Sequence, residues 1–128
     1  MALILIIDDD AAIRNMLRLT LVHAGHTVVE ACDGREGLKH LEDFGADLVI
    51  TDLVMPGKEG LELMMEVRNS HSYVKFIAMS GAGRRESDYL RVAKFLGANQ
   101  VLSKPFTAEA LMEAVAQVLP SVESLKDK

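Results

Sequence analysis

A single cysteine, Cys32, leaves this 128-residue chain without an internal disulfide. No apolar run reaches the roughly 20 residues that a membrane-spanning helix needs. No charged leader followed by a long apolar segment and a cleavage site precedes Leu3. These absences point to a reducing, cytoplasmic setting without membrane insertion. Positive charge is also in deficit: 14 Lys plus Arg stand against 19 Asp plus Glu, a net charge of −5. That balance argues against direct binding to a nucleic-acid backbone. His23, His26, His40 and His71 show no compact metal-ligand spacing and read as surface or partly packed residues, not as a zinc site. No internal repeat or low-complexity tract interrupts the chain.

What is present is an alternation of apolar, β-rich runs with stretches of helical period, the signature of β-α units around a mostly parallel sheet. Strands are expected near 3–8, 26–31, 47–52, 74–80 and 100–103. Ile13, Met16, Leu17, Thr20, Leu21 and Ala24 mark one helical face, and Leu61, Met64 and Met65 begin another. Further helices are expected at 34–43, 86–96 and 107–119. Asp33 with Glu36 three positions on, and Thr107 after Pro105, read as helix starts. Gly25, Gly45 and Gly97 suit the turns that end helices. Ala108, Leu111, Met112, Val115, Val118 and Leu119 give the last helix one buried face. Most of the seven methionines fall within apolar patterns as gap-filling core. The chain is long enough for one self-sufficient domain, expected over 1–120, with 121–128 as a polar tail or the start of a linker.

Three of the apolar runs end in residues suited to phosphate chemistry. Leu3 to Ile7 leads into Asp8 and Asp9, Leu48 to Thr51 into Asp52, and Gln100 to Ser103 into Lys104 and Pro105. Carboxylates at the ends of buried strands are costly to fold and call for a compensating purpose. Open α/β sheets bind ligands beyond the carboxyl ends of their strands, so these residues are expected to converge. Three acids together make a magnesium cradle, and a neighbouring lysine holds an anion. Standing alone, Asp8, Asp9 and Asp10 would be a solvated acidic turn, Ser80 an ordinary polar strand end, and Pro105 a strand terminator. Arg84 and Arg85 read as a solvated loop pair.

The strings "ILIIDDD", "DLVITDLVMPGKEG", "FIAMSGAG" and "GANQVLSKPF" occur in the order and spacing of a response-regulator receiver domain, and the chain resembles that family over about residues 2–119. The resemblance implies a flavodoxin-like fold: a doubly wound, five-stranded parallel sheet ordered 2-1-3-4-5 with helices on both faces. It implies that Asp52 is the phosphoacceptor and that Asp9 and Asp52 ligate Mg2+ directly. Asp8 would ligate directly or through water, and the Val54 backbone carbonyl would add a further oxygen. Lys104 would balance phosphoryl charge, presented by a cis Lys104-Pro105 bond, and Ser80 would offer a hydroxyl, with Gly81 leaving room beside it. Asp10 is expected at the helix start and not among the main ligands.

The implied function is a signalling switch and not a metabolic enzyme. A sensor histidine kinase or a histidine phosphotransfer protein would donate the phosphoryl group, and the downstream target is open. The chain departs from the common pattern at Val101, three residues before Lys104, where many receivers carry Tyr or Phe; an aromatic flip is unavailable there. Val54 and Ala82 cannot orient a hydrolytic water through side-chain hydrogen bonds. Two other functions compete. In a haloacid-dehalogenase-like phosphatase, Asp8 in Asp8-Asp9-Asp10 would be the nucleophile, but the later acidic pair is missing after Lys104. The other is a phosphorylation-independent interaction module, which would leave the acids and the lysine without employment.

Overall fold

The central strands are apolar at successive positions, so side chains pointing to both faces need cover and the sheet has to lie between two helical layers. The structure is a computed structural model that describes residues 2–53, 60–71, 73–81 and 84–119. Its elements alternate as β1 (Leu3–Ile7), α1 (Ala11–His23), β2 (Thr27–Ala31), α2 (Gly34–Phe44), β3 (Leu48–Asp52), α3 (Gly60–Ser70), β4 (Lys75–Ser80), α4 (Arg84–Phe95), β5 (Gln100–Ser103) and α5 (Ala108–Val118). The five strands form one sheet in the order β2-β1-β3-β4-β5, and every neighbouring pair is parallel. The doubly wound order implied by the resemblance is therefore the order observed. All strands run the same way, so Asp8, Asp52, Ser80 and Lys104 come out at one end of the sheet.

Alternation along each strand divides the core. Leu5, Ile7, Val49, Phe76 and Ala78 pack with Leu41, Leu63, Met64, Val67 and Ala93 beneath α2, α3 and α4. Ile4, Ile6, Leu48, Ile50, Ile77 and Met79 pack with Leu17, Leu21, Leu111, Val115 and Val118 beneath α1 and α5. Two glycines set how closely the layers approach. A Cβ on Gly37 would overlap the Ile7 side chain, and one on Gly60 would overlap the Asp52 carbonyl oxygen. The start of α3 is thus seated directly against the end of β3.

Caps start the helices as their sequences imply. The Asp33 carboxylate accepts the Glu36 N–H at 2.8 Å, and Glu36 Oε1 in turn accepts the Cys32 N–H at 2.8 Å. Thr107 Oγ1 accepts the Ala110 N–H at 3.0 Å. Gly25, Gly45 and Gly97 all have positive φ, at 97°, 72° and 111°.

Several details differ from expectation. Strand β1 ends at Ile7, because the Asp8 carboxylate accepts the Asp10 N–H at 2.8 Å and turns the chain. Helix α4 begins at Arg84: two good helix formers precede Glu86 with no breaker between them, so the two arginines belong to a helix and not to a loop. Ala108, at the first turn of α5, is exposed, and Ala114 takes the inward place instead. Ala24 is exposed too, since it is the C-cap of α1. Met64 and Met79 are fully buried, whereas Met65 lies on the outer side of α3, 53% exposed. The expected tail at 121–128 lies outside the described residues.

Candidate functional site

The period of two along a strand aims the site. On β3, Leu48, Ile50 and Asp52 share a face; Ile4 and Ile6 precede Asp8 with the same parity, and Leu102 precedes Lys104. All three functional side chains therefore continue rows that belong to the α1–α5 side of the sheet. The Lys104 ammonium lies 2.8 Å from Asp8 Oδ2 and 3.4 Å from Asp52 Oδ2. Asp8 is fully buried and Asp52 is 7% exposed, so the lysine is a necessary counter-ion to two carboxylates withdrawn from water. Burial opposes the charged form of Lys104, but its hydrogen bond to Asp8 and the nearby Asp52 and Asp8 charges prevail, and its pKa is raised. The Lys104-Pro105 bond is cis, as the resemblance implied.

The loop after β1 distributes three consecutive acids to three different tasks. Asp8 turns inward to Lys104. Asp10 caps α1, its carboxylate accepting the Ala12 N–H at 2.9 Å and the Ile13 N–H at 3.4 Å, which matches the helix-start role expected for it. Asp9, between them, is exposed, and it brings a carboxylate oxygen into a cluster with Asp8 and Asp52 in which all three oxygens lie within 4.8 Å of one another.

That cluster fits a divalent cation. Oxygens on opposite sides of an octahedral Mg2+ are about 4.2 Å apart, twice the metal–oxygen distance. Asp8, Asp9 and Asp52 would hold it. Val54, whose carbonyl was expected to add a ligand, lies outside the described residues, as does Ala82.

Ser80 ends β4 with its hydroxyl buried and without a hydrogen-bond partner among the described residues. An orphaned buried hydroxyl is uncommon and costs about 1–3 kcal/mol, and this one ends its strand at the same end of the sheet as the acids. Val101 is half-buried and packs toward the core beneath α2, α3 and α4, in keeping with a strand-five position that holds no aromatic side chain. Next to Lys104, an apolar pocket of about 380 Å³ is lined by Ile13, Met16, Pro105 and Phe106. No histidine joins a metal cluster among the described residues. His26 instead accepts the Ala2 N–H through Nδ1 at 3.2 Å.

Two site residues escape a reading of the sequence alone. Arg14 Nη1 donates to the Asp8 carbonyl oxygen at 2.6 Å, a contact between α1 and the strand-end loop that carries no local motif. Gly60, which gives α3 its close seat on Asp52, had as its only signal the last letter of the string "MPGKEG".

A five-stranded parallel sheet with an acidic triad and a lysine at its carboxyl end defines a class, and the comparisons with known proteins agree on which. The chain belongs to the response regulator receiver domain family, whose model matches residues 4–116. It is 36% identical over 114 residues to the CAI-1 autoinducer sensor kinase/phosphatase CqsS of Vibrio cholerae, covering 88% of this chain and 17% of that protein. It is 30% identical over 116 residues to the chemotaxis protein CheY of Halobacterium salinarum, covering 91% and 95%. The crystal structure of a response regulator receiver domain protein from Clostridium thermocellum superposes with a TM-score of 0.85 at 31% identity, covering 92% of this chain and 94% of that one. The chain spans 44% of the mycobacterial regulator TrcR and 49% of a response regulator MprA, so it is about half the length of those relatives or less. Receiver domains are signalling switches that work with sensor kinases or phosphotransfer proteins. The phosphatase alternative is not favoured: its nucleophile would be Asp8, which is fully buried with its two oxygens engaged by Asp10 N–H and Lys104. No helix among the described residues is long and apolar enough to cross a membrane.

Proposed function

We propose that the Asp52 carboxylate accepts a phosphoryl group from a phosphohistidine on a sensor histidine kinase or a histidine phosphotransfer protein, in the cytoplasm. A carboxylate oxygen of Asp52 forms the new O–P bond as the P–N bond of the donor breaks, and the electron pair returns to the imidazole nitrogen, which takes up a proton. Asp8, Asp9 and Asp52, with the Val54 carbonyl, would hold Mg2+. When bound, that ion neutralises charge shared between the anionic nucleophile and the phosphoryl oxygens. Lys104 stabilises a phosphoryl oxygen by moving its ammonium from the carboxylates to the new anion, and the Ser80 hydroxyl donates to another. The product is an altered binding surface around α4, β5 and α5, since the acyl phosphate carries about 1.5–2 negative charges on its phosphoryl oxygens in place of the single carboxylate charge, where Lys104 and Ser80 can respond. In this reading residues 1–120 form the receiver unit and 121–128 a tail or the start of a linker.

The observation that carries this reading is the convergence of Asp8, Asp9, Asp52 and Lys104 from three strand ends into one cluster. Phosphoramidate, which presents a P–N bond like that of phosphohistidine, should label the wild-type protein in the presence of Mg2+. The label should be released by hydroxylamine, as an acyl phosphate is, and should not form in excess chelator. Steady turnover of p-nitrophenyl phosphate that depends on Asp8 and survives Asp52→Asn would replace this reading with the phosphatase. Failure to label under any condition would leave a phosphorylation-independent interaction module.

A further inference from the structure

We infer that Arg14 is a positioning residue for the metal site: it clamps the peptide between Asp8 and Asp9 through the Asp8 carbonyl, and Glu30 fixes its guanidinium in the clamping pose. The inference rests on the reading of Asp8 and Asp9 as metal ligands. Arg14 Nη1 donates to the Asp8 carbonyl oxygen at 2.6 Å. Its Nε lies 3.6 Å from Glu30 Oε1, and the other oxygen of the same carboxylate lies 3.3 Å from Arg18 Nε. Glu30, on β2, is therefore held between two guanidiniums one helical turn apart on α1. Arg18 is steadied in turn by donating from Nη2 to Asn15 Oδ1 at 2.6 Å. The Arg14 side chain is 20% exposed, so this contact is shielded better than a surface ion pair.

The backbone beyond β1 is held on both sides of the peptide that Arg14 clamps. Asp8 still donates its N–H to the Ala31 carbonyl at 3.2 Å, which continues the ladder with β2. The next peptide unit has the Asp8 carbonyl at one end and the Asp9 N–H at the other, and because it is planar, fixing the carbonyl direction fixes the Cα of Asp9. No hydrogen bond or ion pair is assigned to the Asp9 carboxylate among the described residues. Its direction therefore depends on the backbone that carries it, which Arg14 holds at the Asp8 carbonyl while the Asp8 carboxylate holds the following peptide at the Asp10 N–H.

Charge alone predicts the opposite role. A guanidinium near a cation site repels the cation, so removing an electrostatic bystander would tighten Mg2+ binding; removing a clamp loosens it. Supports one step behind metal ligands typically contribute 10–100-fold to metal affinity. Calorimetric titration of the whole chain with Mg2+ separates the two. Arg14→Met should weaken Mg2+ binding about tenfold despite the lost positive charge. Arg14→Lys, which keeps the charge but cannot bridge a carbonyl and a carboxylate with one planar fork, should weaken it as well. Glu30→Gln, which leaves Arg14 in place but loosens its anchor, should weaken it less. Equal or tighter binding by Arg14→Met overturns the clamp. If Arg14→Met does not fold, equal binding by both Arg14→Lys and Glu30→Gln overturns it. Loss of metal-free thermal stability with wild-type Mg2+ affinity also overturns it, since that is the signature of a merely structural contact. Wild-type protein that binds no Mg2+ overturns the metal site itself, an outcome distinct from wild-type binding that the variants share.

Discussion

Burial drives Lys104 toward its neutral form, yet the hydrogen bond to Asp8 and the charges of Asp52 and Asp8 raise its pKa above the ordinary lysine value of 10.5. A folded-state pKa raised in this way contributes stability that is complete below the unfolded value and is lost as pH rises through the folded one. Lys104→Met should therefore destabilise the metal-free protein throughout the neutral range, with the difference from wild type shrinking only in strong alkali. Removing one partner from a fully buried pair costs about 3–5 kcal/mol; part of the Lys104 side chain still meets water, so about 2 kcal/mol is the expected loss. Mg2+ should restore part of it by taking over the counter-ion role. Denaturant melts with and without Mg2+ across pH check this, and a neutral effect of Lys104→Met without metal would contradict the counter-ion assignment. Lys104, Asp8, Asp9 and Asp52 were legible in the sequence because each directly follows, or ends, an apolar run. Arg14 was not, because its partner is a backbone carbonyl six residues away, and every residue of the chain carries one of those.

Helices and strands here were legible to the extent that their signals were periodic. Strand β5 has the expected bounds at Gln100–Ser103, and the caps at Asp33 and Thr107 sit where their side chains demanded. The inward face of α5 was misjudged at its first turn, since Ala108 and Ala114 are equally apolar and only packing distinguishes them. Close approach between elements was less visible still, because a glycine in a sequence does not say what it lies against. Gly60, the first residue of α3, separates two opposing expectations. As a helix residue, alanine is favoured over glycine by about 1 kcal/mol. A Cβ at Gly60, however, overlaps the Asp52 carbonyl oxygen and comes within 2.8 Å of Leu53 Cα, and overpacking against backbone costs about 1–3 kcal/mol. Sterics should win, and Gly60→Ala should lower thermal stability while slowing labelling of Asp52, whose backbone has to yield. A more stable variant with unchanged labelling would mean that α3 is not seated on β3 as described.

At the scale of the whole molecule, the fold places its polar expense at one end. Parallel strands in the order β2-β1-β3-β4-β5 bring the ends of β1, β3 and β5 together although Asp8 and Lys104 are 96 residues apart in sequence. The class of fold was legible because the β-α alternation is regular and both faces of the sheet are apolar. The use to which Val101 is put was not, since a small side chain at that place removes one switching device without naming its replacement. Asp52 should be the one carboxylate of the cluster that becomes phosphorylated, with its neighbours serving it. Peptide mapping by mass spectrometry tests this most directly, after a brief reaction of wild type, Asp52→Asn and Asp8→Asn with acetyl phosphate and Mg2+. A phosphoryl group should appear on Asp52 in the wild type, none on Asp52→Asn, and Asp8→Asn should label slowly, still at Asp52. Undiminished labelling of Asp52→Asn, or a label found on Asp8 of the wild type, would contradict that assignment.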